Sequence, residues 1–187
     1  DVLLDDSYGL GRIKQANTIV DIGANIGLFS ALARLRFPNA TIQAYEPNPD
    51  TFRMAEQNLK GIATIYNSGV WATDGVARIH MRGSSPLGNQ VIPDEGGNVS
   101  LVSFQTVLAR AGGAIDLLKV DCEGAEWTFM NDPELFRAVG AIRMEYHLGG
   151  MQTVQHVREL ALRLRYEIAK LEQNGPHHGI LWLNRRP

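Results

Sequence analysis

Apolar positions along the chain follow two periods. Residues 18–23 (TIVDIG) form a short β-branched run ending in glycine, as a strand buried on both faces would. Ile26, Phe29 and Ala33 then recur at helical spacing up to Arg36, and Pro38 with Asn39 stops the pattern. A second strand is predicted over residues 41–47 (TIQAYEP). Asn48 suits a helix N-cap, Pro49 the first helical position, and Phe52, Ala55 and Leu59 line one face before Gly61 closes the helix. Further strands are predicted at 63–71, 115–121 and 141–147, with helices between and after them. The clearest helix is 152–165, where Val154, Val157, Ala161 and Leu164 make an apolar stripe. YEIAKLE and GILWLN end the chain as strands joined by a turn brief enough to force antiparallel pairing, whereas strands separated by helices run parallel. The pattern predicts an α/β fold, doubly wound and mostly parallel, with an antiparallel C-terminal hairpin. Residues 82–98, rich in Gly, Pro, Ser and Asn, read as an irregular loop, a candidate lid over a second substrate.

Composition narrows the class. With 187 residues, 44% of them apolar and 20% charged, the chain suits one domain over 1–187, residues 1–17 being an N-terminal lead-in. A formal net charge of −2 gives no general attraction to a phosphate backbone, so nucleic acid is not an expected partner. The single cysteine, Cys122, cannot form an intrachain disulfide and reads as a small core residue in a cytoplasmic protein. No run approaches the roughly 20 apolar residues that span a bilayer, so no membrane association is expected. The chain starts at Asp1 rather than Met, which leaves room for an upstream segment.

An open α/β sheet binds its ligand beyond the carboxyl ends of its strands, where strand order reverses. The first strand here ends in VDIGANIG, which supplies Asp21, Gly23, Ala24, Asn25 and Gly27. Gly23 permits a tight turn, and a helix starting near Ile26 would offer unpaired N–H groups to an anionic group. About twenty residues beyond Gly27, Glu46 ends the second strand, where a carboxylate can accept both hydroxyls of a ribose. A diphosphate cradle wants G-x-G-x-x-G, and G-A-N-I-G lacks the middle glycine. Asn25 would crowd a diphosphate but can bond the amino-acid end of S-adenosylmethionine. Asp21 and Asp121 add negative charge suited to its sulfonium and ammonium. The expected cofactor is therefore S-adenosylmethionine.

TIVDIGANIGLFSALA, AYEPNPDTFRMAEQNL and IDLLKVDCEGAEWTFM together resemble the FkbM family of S-adenosylmethionine-dependent methyltransferases, over about residues 18–147. KVDCEGAE is the most specific part. The resemblance implies a Rossmann-like class I methyltransferase sheet of seven strands with the last one reversed. It also implies O-methylation of a hydroxyl on a small molecule or sugar. By motif match Asp21, Gly23, Asn25, Gly27 and Glu46 take cofactor roles, accompanied by Ala24, Pro47 and Asn48. Ser68, Gly69 and Val70 would edge the adenine.

Methyl transfer from a sulfonium is an in-line displacement, so alignment carries much of the rate and a base assists a hydroxyl acceptor. Glu145 and His147 are two apart on one strand and leave the same face, with His147 nearer the carboxyl end. His147 titrates in the useful range and is the expected base, with Asp121 and Glu145 as further catalytic candidates. Glu123 and Glu126 can serve simply as acidic residues at a helix start. Asp121, Glu145 and His147 could hold a divalent ion, but no spacing fixes a metal geometry, so no metal is assigned. His177 and His178 fall in the hairpin turn and read as surface residues, although that turn could close over an acceptor. An NAD-dependent oxidoreductase would share the Glu46 logic, but the glycine spacing opposes it. Amino-group methyltransferases place Asn-Pro-Pro or Asp-Pro-Pro after the fourth strand, where this chain has DCEG. A non-catalytic S-adenosylmethionine-binding module would keep the pocket without turnover.

Overall fold

The structure, a computed structural model, describes residues 6–80 and 90–186. The first half of the main sheet and its helices comprises β1 (Thr18–Ile22), α1 (Leu28–Arg36), β2 (Thr41–Tyr45), α2 (Pro49–Asn58) and β3 (Thr64–Tyr66). Next come β4 (Ser68–Trp71), β5 (Gly75–His80), β6 (Gln90–Pro93), β7 (Val99–Ser103) and α3 (Phe104–Arg110). The chain ends with β8 (Ile115–Val120), α4 (Glu126–Phe129), α5 (Pro133–Phe136), β9 (Val139–His147), α6 (Val154–Arg163), β10 (Tyr166–Gln173) and β11 (His178–Arg185).

The main sheet has seven strands in the order β10-β11-β9-β8-β1-β2-β3, and only β11 runs against its neighbours. Strand order reverses at β1, which pairs with β2 on one side and β8 on the other, so a crevice opens past their carboxyl ends. Burial explains the centre of the sheet: Ile115, Leu117, Leu118 and Val120 of β8 are all buried, the continuous apolar run that a strand covered on both faces needs. On α2, the Asn48 side chain accepts from the amides of Asp50 and Thr51, Pro49 stands in the first turn, and Ala55 is buried. On α6, Val157, Leu160 and Ala161 form the buried stripe.

Several expectations change. The strand expected over 63–71 is two strands, since the chain breaks at Asn67 and β4 enters a second sheet of order β4-β7-β5-β6. Within 82–98, residues 82–89 lie outside the described residues, and Gln90–Pro93 is the strand β6, not irregular loop. α1 starts at Leu28 rather than near Ile26, which is 40% exposed and outside the apolar face. The described part of the lead-in is folded: Tyr8, Leu10, Ile13 and Ala16 pack with Ile19, Phe29 and Leu117.

One charged row crosses the main sheet. Asp21 is the register partner of Lys119, Lys119 of Arg143, and Arg143 of Trp182. Lys119 lies 3.2 Å from Asp21, and the Arg143 guanidinium stacks 5.4 Å from the Trp182 ring. The lead-in covers the row: Trp182 Nε1 donates to the Ser7 carbonyl, and the Tyr8 ring sits 5.5 Å from the Lys119 ammonium.

Candidate functional site

At the end of β1 the chain turns through Gly23 (φ 77), Asn25 (φ 51) and Gly27 (φ 89), left-handed conformations that glycine and asparagine tolerate best. Gly23 cannot be larger, because a Cβ there would lie 1.7 Å from the Asp121 carbonyl oxygen. The Gly23 and Ala24 amides both donate to the Tyr45 carbonyl, Gly27 N donates to Ala24 O, and Asn25 N donates to Glu46 Oε2. Four loop amides are thus spent inside the protein. The offer of free loop N–H groups to an anion, expected from the sequence, is correspondingly smaller.

Glu46 is held from both sides, with Oε2 on the Asn25 amide at 2.9 Å and Oε1 on the Asn48 amide at 2.9 Å. Burial lifts its pKa above the ordinary value, partly offset by those two amides. The carboxylate faces a cleft of about 830 Å³, open to solvent, whose wall includes Gly23, Asn25, Glu46, Pro47, Asn48, Ser68, Gly69, Val70 and Asp121. Those nine sequence-predicted residues come together. Three others do not reach the wall: Asp21 is fully buried, its Oδ2 accepting from the Ser30 hydroxyl, while Ala24 is buried and Gly27 packs against Leu59. Asp21 therefore supports the loop from beneath and lends no charge directly to the cleft.

Sequence reasoning missed other members. Lys119, 3% exposed, donates to the Gly23 carbonyl and pairs with Asp21 at 3.2 Å and Asp121 at 3.8 Å. Burial would lower its pKa, but the two carboxylates more than compensate, so it stays charged. The signal was a lysine inside the apolar run IDLLKVD. Tyr8 donates to Asp121 Oδ2 at 3.0 Å, and nothing in its own neighbourhood of sequence announced this. Cys122 is only half-buried and lines the cleft; burial, then Glu126 and Asp121, push its thiol pKa well up, so it is no thiolate nucleophile.

A second open cleft of about 1190 Å³ adjoins the first, with Cys122, Glu123 and Ala125 on both walls. Trp71, Gln90, Trp127, His147, Gln152 and His177 line it further out, so the hairpin turn does border this space through His177. His147 Nε2 lies 3.5 Å from Glu123 and 4.0 Å from Glu145, and Nδ1 lies 3.4 Å from Glu126 without hydrogen-bond geometry. Glu126 is fully buried and is more than a helix-start acid. It accepts from the His147 amide at 2.7 Å and from the Gly124 amide at 2.9 Å, tying the turn after β8 to the end of β9. Burial alone would lower the His147 pKa, but Glu126, Glu123 and Asp121 outweigh it and raise it to about 9. An imidazole so placed is cationic at neutral pH, which differs from the neutral base expected from an ordinary histidine. Burial, then Asp121, raises the Glu145 carboxyl.

The methyltransferase FkbM domain model matches residues 21–168, most of the chain. The chain belongs to the FkbM methyltransferase family. Among its relatives, methyltransferase sdnD of Sordaria araneosa is 27% identical, the match covering 67% of this chain and 64% of that protein. The 31-O-demethyl-FK506 methyltransferase FkbM of Streptomyces tacrolimicus is 26% identical over 62% of this chain and 58% of its own length. The chain thus spans about three fifths of the length of these two relatives. Solved structures share the fold at low identity. A precorrin-6y C5,15-methyltransferase from Geobacter metallireducens aligns with TM-score 0.58 at 15% identity, covering 97% of this chain and 86% of that one. A putative O-methyltransferase from Klebsiella pneumoniae aligns with TM-score 0.57 at 16% identity, covering 100% and 82%. The sheet is therefore the class I methyltransferase fold, as its order and reversed last strand require. No helix among the described residues is long and apolar enough to cross a membrane.

Proposed function

We propose that this FkbM-family chain transfers a methyl group from S-adenosylmethionine to a hydroxyl on a small molecule or sugar. The observation that carries the reading is Glu46, a buried carboxylate fixed by the Asn25 and Asn48 amides on the wall of the cleft past β1 and β2. The residues present fit the cofactor. Glu46 would take the ribose hydroxyls, Asn25 and Asp121 the amino-acid end, and Pro47, Asn48 and Ser68 to Val70 the adenine edge. The internal use of the loop amides argues against a diphosphate, which needs them free. When bound, the cofactor supplies an electrophilic methyl group on a sulfonium.

The protein's part is to align and to accept a proton. The second cleft, whose wall includes Trp71 and Trp127, holds the acceptor and meets the cofactor cleft at Glu123. Asp121 follows β8 and lines the cofactor cleft, while Glu145 and His147 stand at the end of β9; His147, cationic at neutral pH, leaves the Glu145 carboxylate beside it to receive the hydroxyl proton. Support for a small hydroxylated acceptor comes from the Streptomyces tacrolimicus relative, whose name describes methylation at an oxygen.

Purified chain incubated with S-adenosylmethionine and a panel of hydroxylated small molecules is expected to yield a methyl ether and S-adenosylhomocysteine by mass spectrometry. Glu145→Gln should keep cofactor affinity and lose about 10²–10⁴ in kcat, and His147→Ala should keep cofactor affinity and lower kcat. Cofactor binding without turnover on any acceptor would favour a binding module, and near-wild-type kcat in His147→Ala would remove that residue from the chemistry.

A further inference from the structure

Between the two clefts, residues from three places in the chain bring unlike donor atoms together. Asp121 follows β8, Glu123 stands in the turn before α4, and His147 ends β9. One donor atom of each lies within 4.8 Å of the others. Asp121 lines the cofactor cleft, His147 the outer cleft, and Glu123 both.

We propose that Asp121, Glu123 and His147 bind a divalent metal ion that holds the acceptor's hydroxyl oxygen against the cofactor cleft. The inference rests on the methyltransferase reading for the ion's role, but not for its binding.

Three features point to an ion rather than to a surface acidic cluster. The donor set is mixed, two carboxylates and an imidazole, which suits a divalent cation that accepts both oxygen and nitrogen ligands. Ligand bonds of about 2.0–2.2 Å place donor atoms about 3–4 Å apart, so small side-chain rotations close this cluster on an ion. Glu126 is the second feature. Fully buried, it stands 3.4 Å from Nδ1 and holds the His147 backbone amide. Through that amide Glu126 fixes the end of β9 that carries the ring, whose Nε2 faces Glu123, and an ion bound there would displace the Nε2 proton. The third feature is charge. Glu145 joins Asp121 and Glu123 around one imidazole, and the nearby Lys119 ammonium is closer to Asp21 (3.2 Å) than to Asp121 (3.8 Å). Both Tyr8 and Lys119 approach Asp121 at Oδ2.

Three protein ligands leave positions open for the acceptor. A hydroxyl bound there loses its proton more readily, as metal-bound water does. The proton passes to the Glu145 carboxylate, the new O–CH3 bond forms as the S–CH3 bond breaks, and the sulfonium leaves as a neutral thioether.

Mn²⁺ is the probe, because the electron paramagnetic resonance signal of the free ion falls as it binds. Titration of the full chain without any methyl donor should show one Mn²⁺ per chain. Glu123→Gln, an isosteric change at a half-exposed position, and His147→Gln should each weaken binding at least tenfold. Glu159→Gln, on the exposed face of α6, should leave it unchanged. Bound Mn²⁺ should also broaden the His147 ring resonances before those of His156. Absence of Mn²⁺ binding at millimolar concentration, or binding indifferent to both Glu123→Gln and His147→Gln, overturns the proposal. A parallel calorimetric titration with S-adenosylhomocysteine separates the two readings. Nucleoside binding without Mn²⁺ sinks the metal alone, and Mn²⁺ binding without the nucleoside sinks the methyltransferase reading alone.

Discussion

At the scale of single residues the decisive feature is how charge is buried. Asp21 is wholly inaccessible and depends on Lys119, its register partner, for compensation. Removing one partner of a buried pair leaves the other charged in a low dielectric, which costs about 3–5 kcal/mol. Lys119→Met should therefore destabilise the protein by that amount in urea unfolding, and adding Asp21→Asn should recover part of it. Additive losses in the double variant would show that the pair is not coupled. Glu46 illustrates a different use of burial, because its desolvated carboxylate lines an open cleft. Glu46→Ala should weaken S-adenosylhomocysteine binding by about 1.5–3 kcal/mol, the scale of a hydrogen bond to a charged group, and Glu46→Gln by less. Burial raises the Glu46 pKa, so its protonated fraction grows as pH falls through that raised value, at a higher pH than for an exposed glutamate. The protonated carboxyl accepts less well, so wild-type affinity should fall with pH while Glu46→Gln stays flat. Calorimetry from neutral toward acid pH checks both, and parallel curves would move the ribose contact elsewhere.

At the scale of elements, the site is made by the approach of the β1–α1 turn to the end of β8. Gly23→Ala should destabilise the fold by more than the left-handed backbone alone accounts for, since its Cβ would also meet the Asp121 carbonyl at 1.7 Å. Gly61, with φ +75 and open space within 4 Å of where a Cβ would stand, is the control: Gly61→Ala should cost about 1–2 kcal/mol and leave cofactor affinity intact. Equal losses in the two variants would show that close approach is not what Gly23 provides. This approach was half legible in the sequence. Glycine after a β-branched strand, and Glu46 at the end of the next, announce the turn and the carboxylate because both follow from local chemistry. The Asp21–Lys119–Arg143 row was not legible, because it depends on register between strands far apart in the chain. The second sheet escaped for a different reason. β5 exposes most of its residues and β6 carries a proline, so neither shows the apolar alternation that marks a half-buried strand. Residues 63–71 read as one strand because Asn67, where the chain changes sheet, interrupts an otherwise continuous β-forming run.

At the scale of the whole molecule, the cofactor cleft is walled by several elements at once: the turn after β1, the end of β2, β4 of the second sheet and the start of the β8–α4 turn. A ligand bridging them adds its binding free energy to the stability of the entire fold. At 100 times its Kd a ligand that binds only the folded state contributes about 2.7 kcal/mol. For a chain of this size that corresponds to a rise in Tm of roughly 5–10 °C. S-adenosylmethionine and S-adenosylhomocysteine should both produce such a shift. NAD should produce none, because the loop amides that would receive its diphosphate are already bonded to Tyr45, Ala24 and Glu46. Glu46→Ala should reduce the shift and His147→Ala should not, since His147 lines the outer cleft and is absent from the cofactor wall. Differential scanning fluorimetry on the three proteins reads all of these at once. Stabilisation by NAD with none from either sulfur nucleoside would overturn the cofactor assignment, and loss of the shift in His147→Ala would place the cofactor in the outer cleft instead.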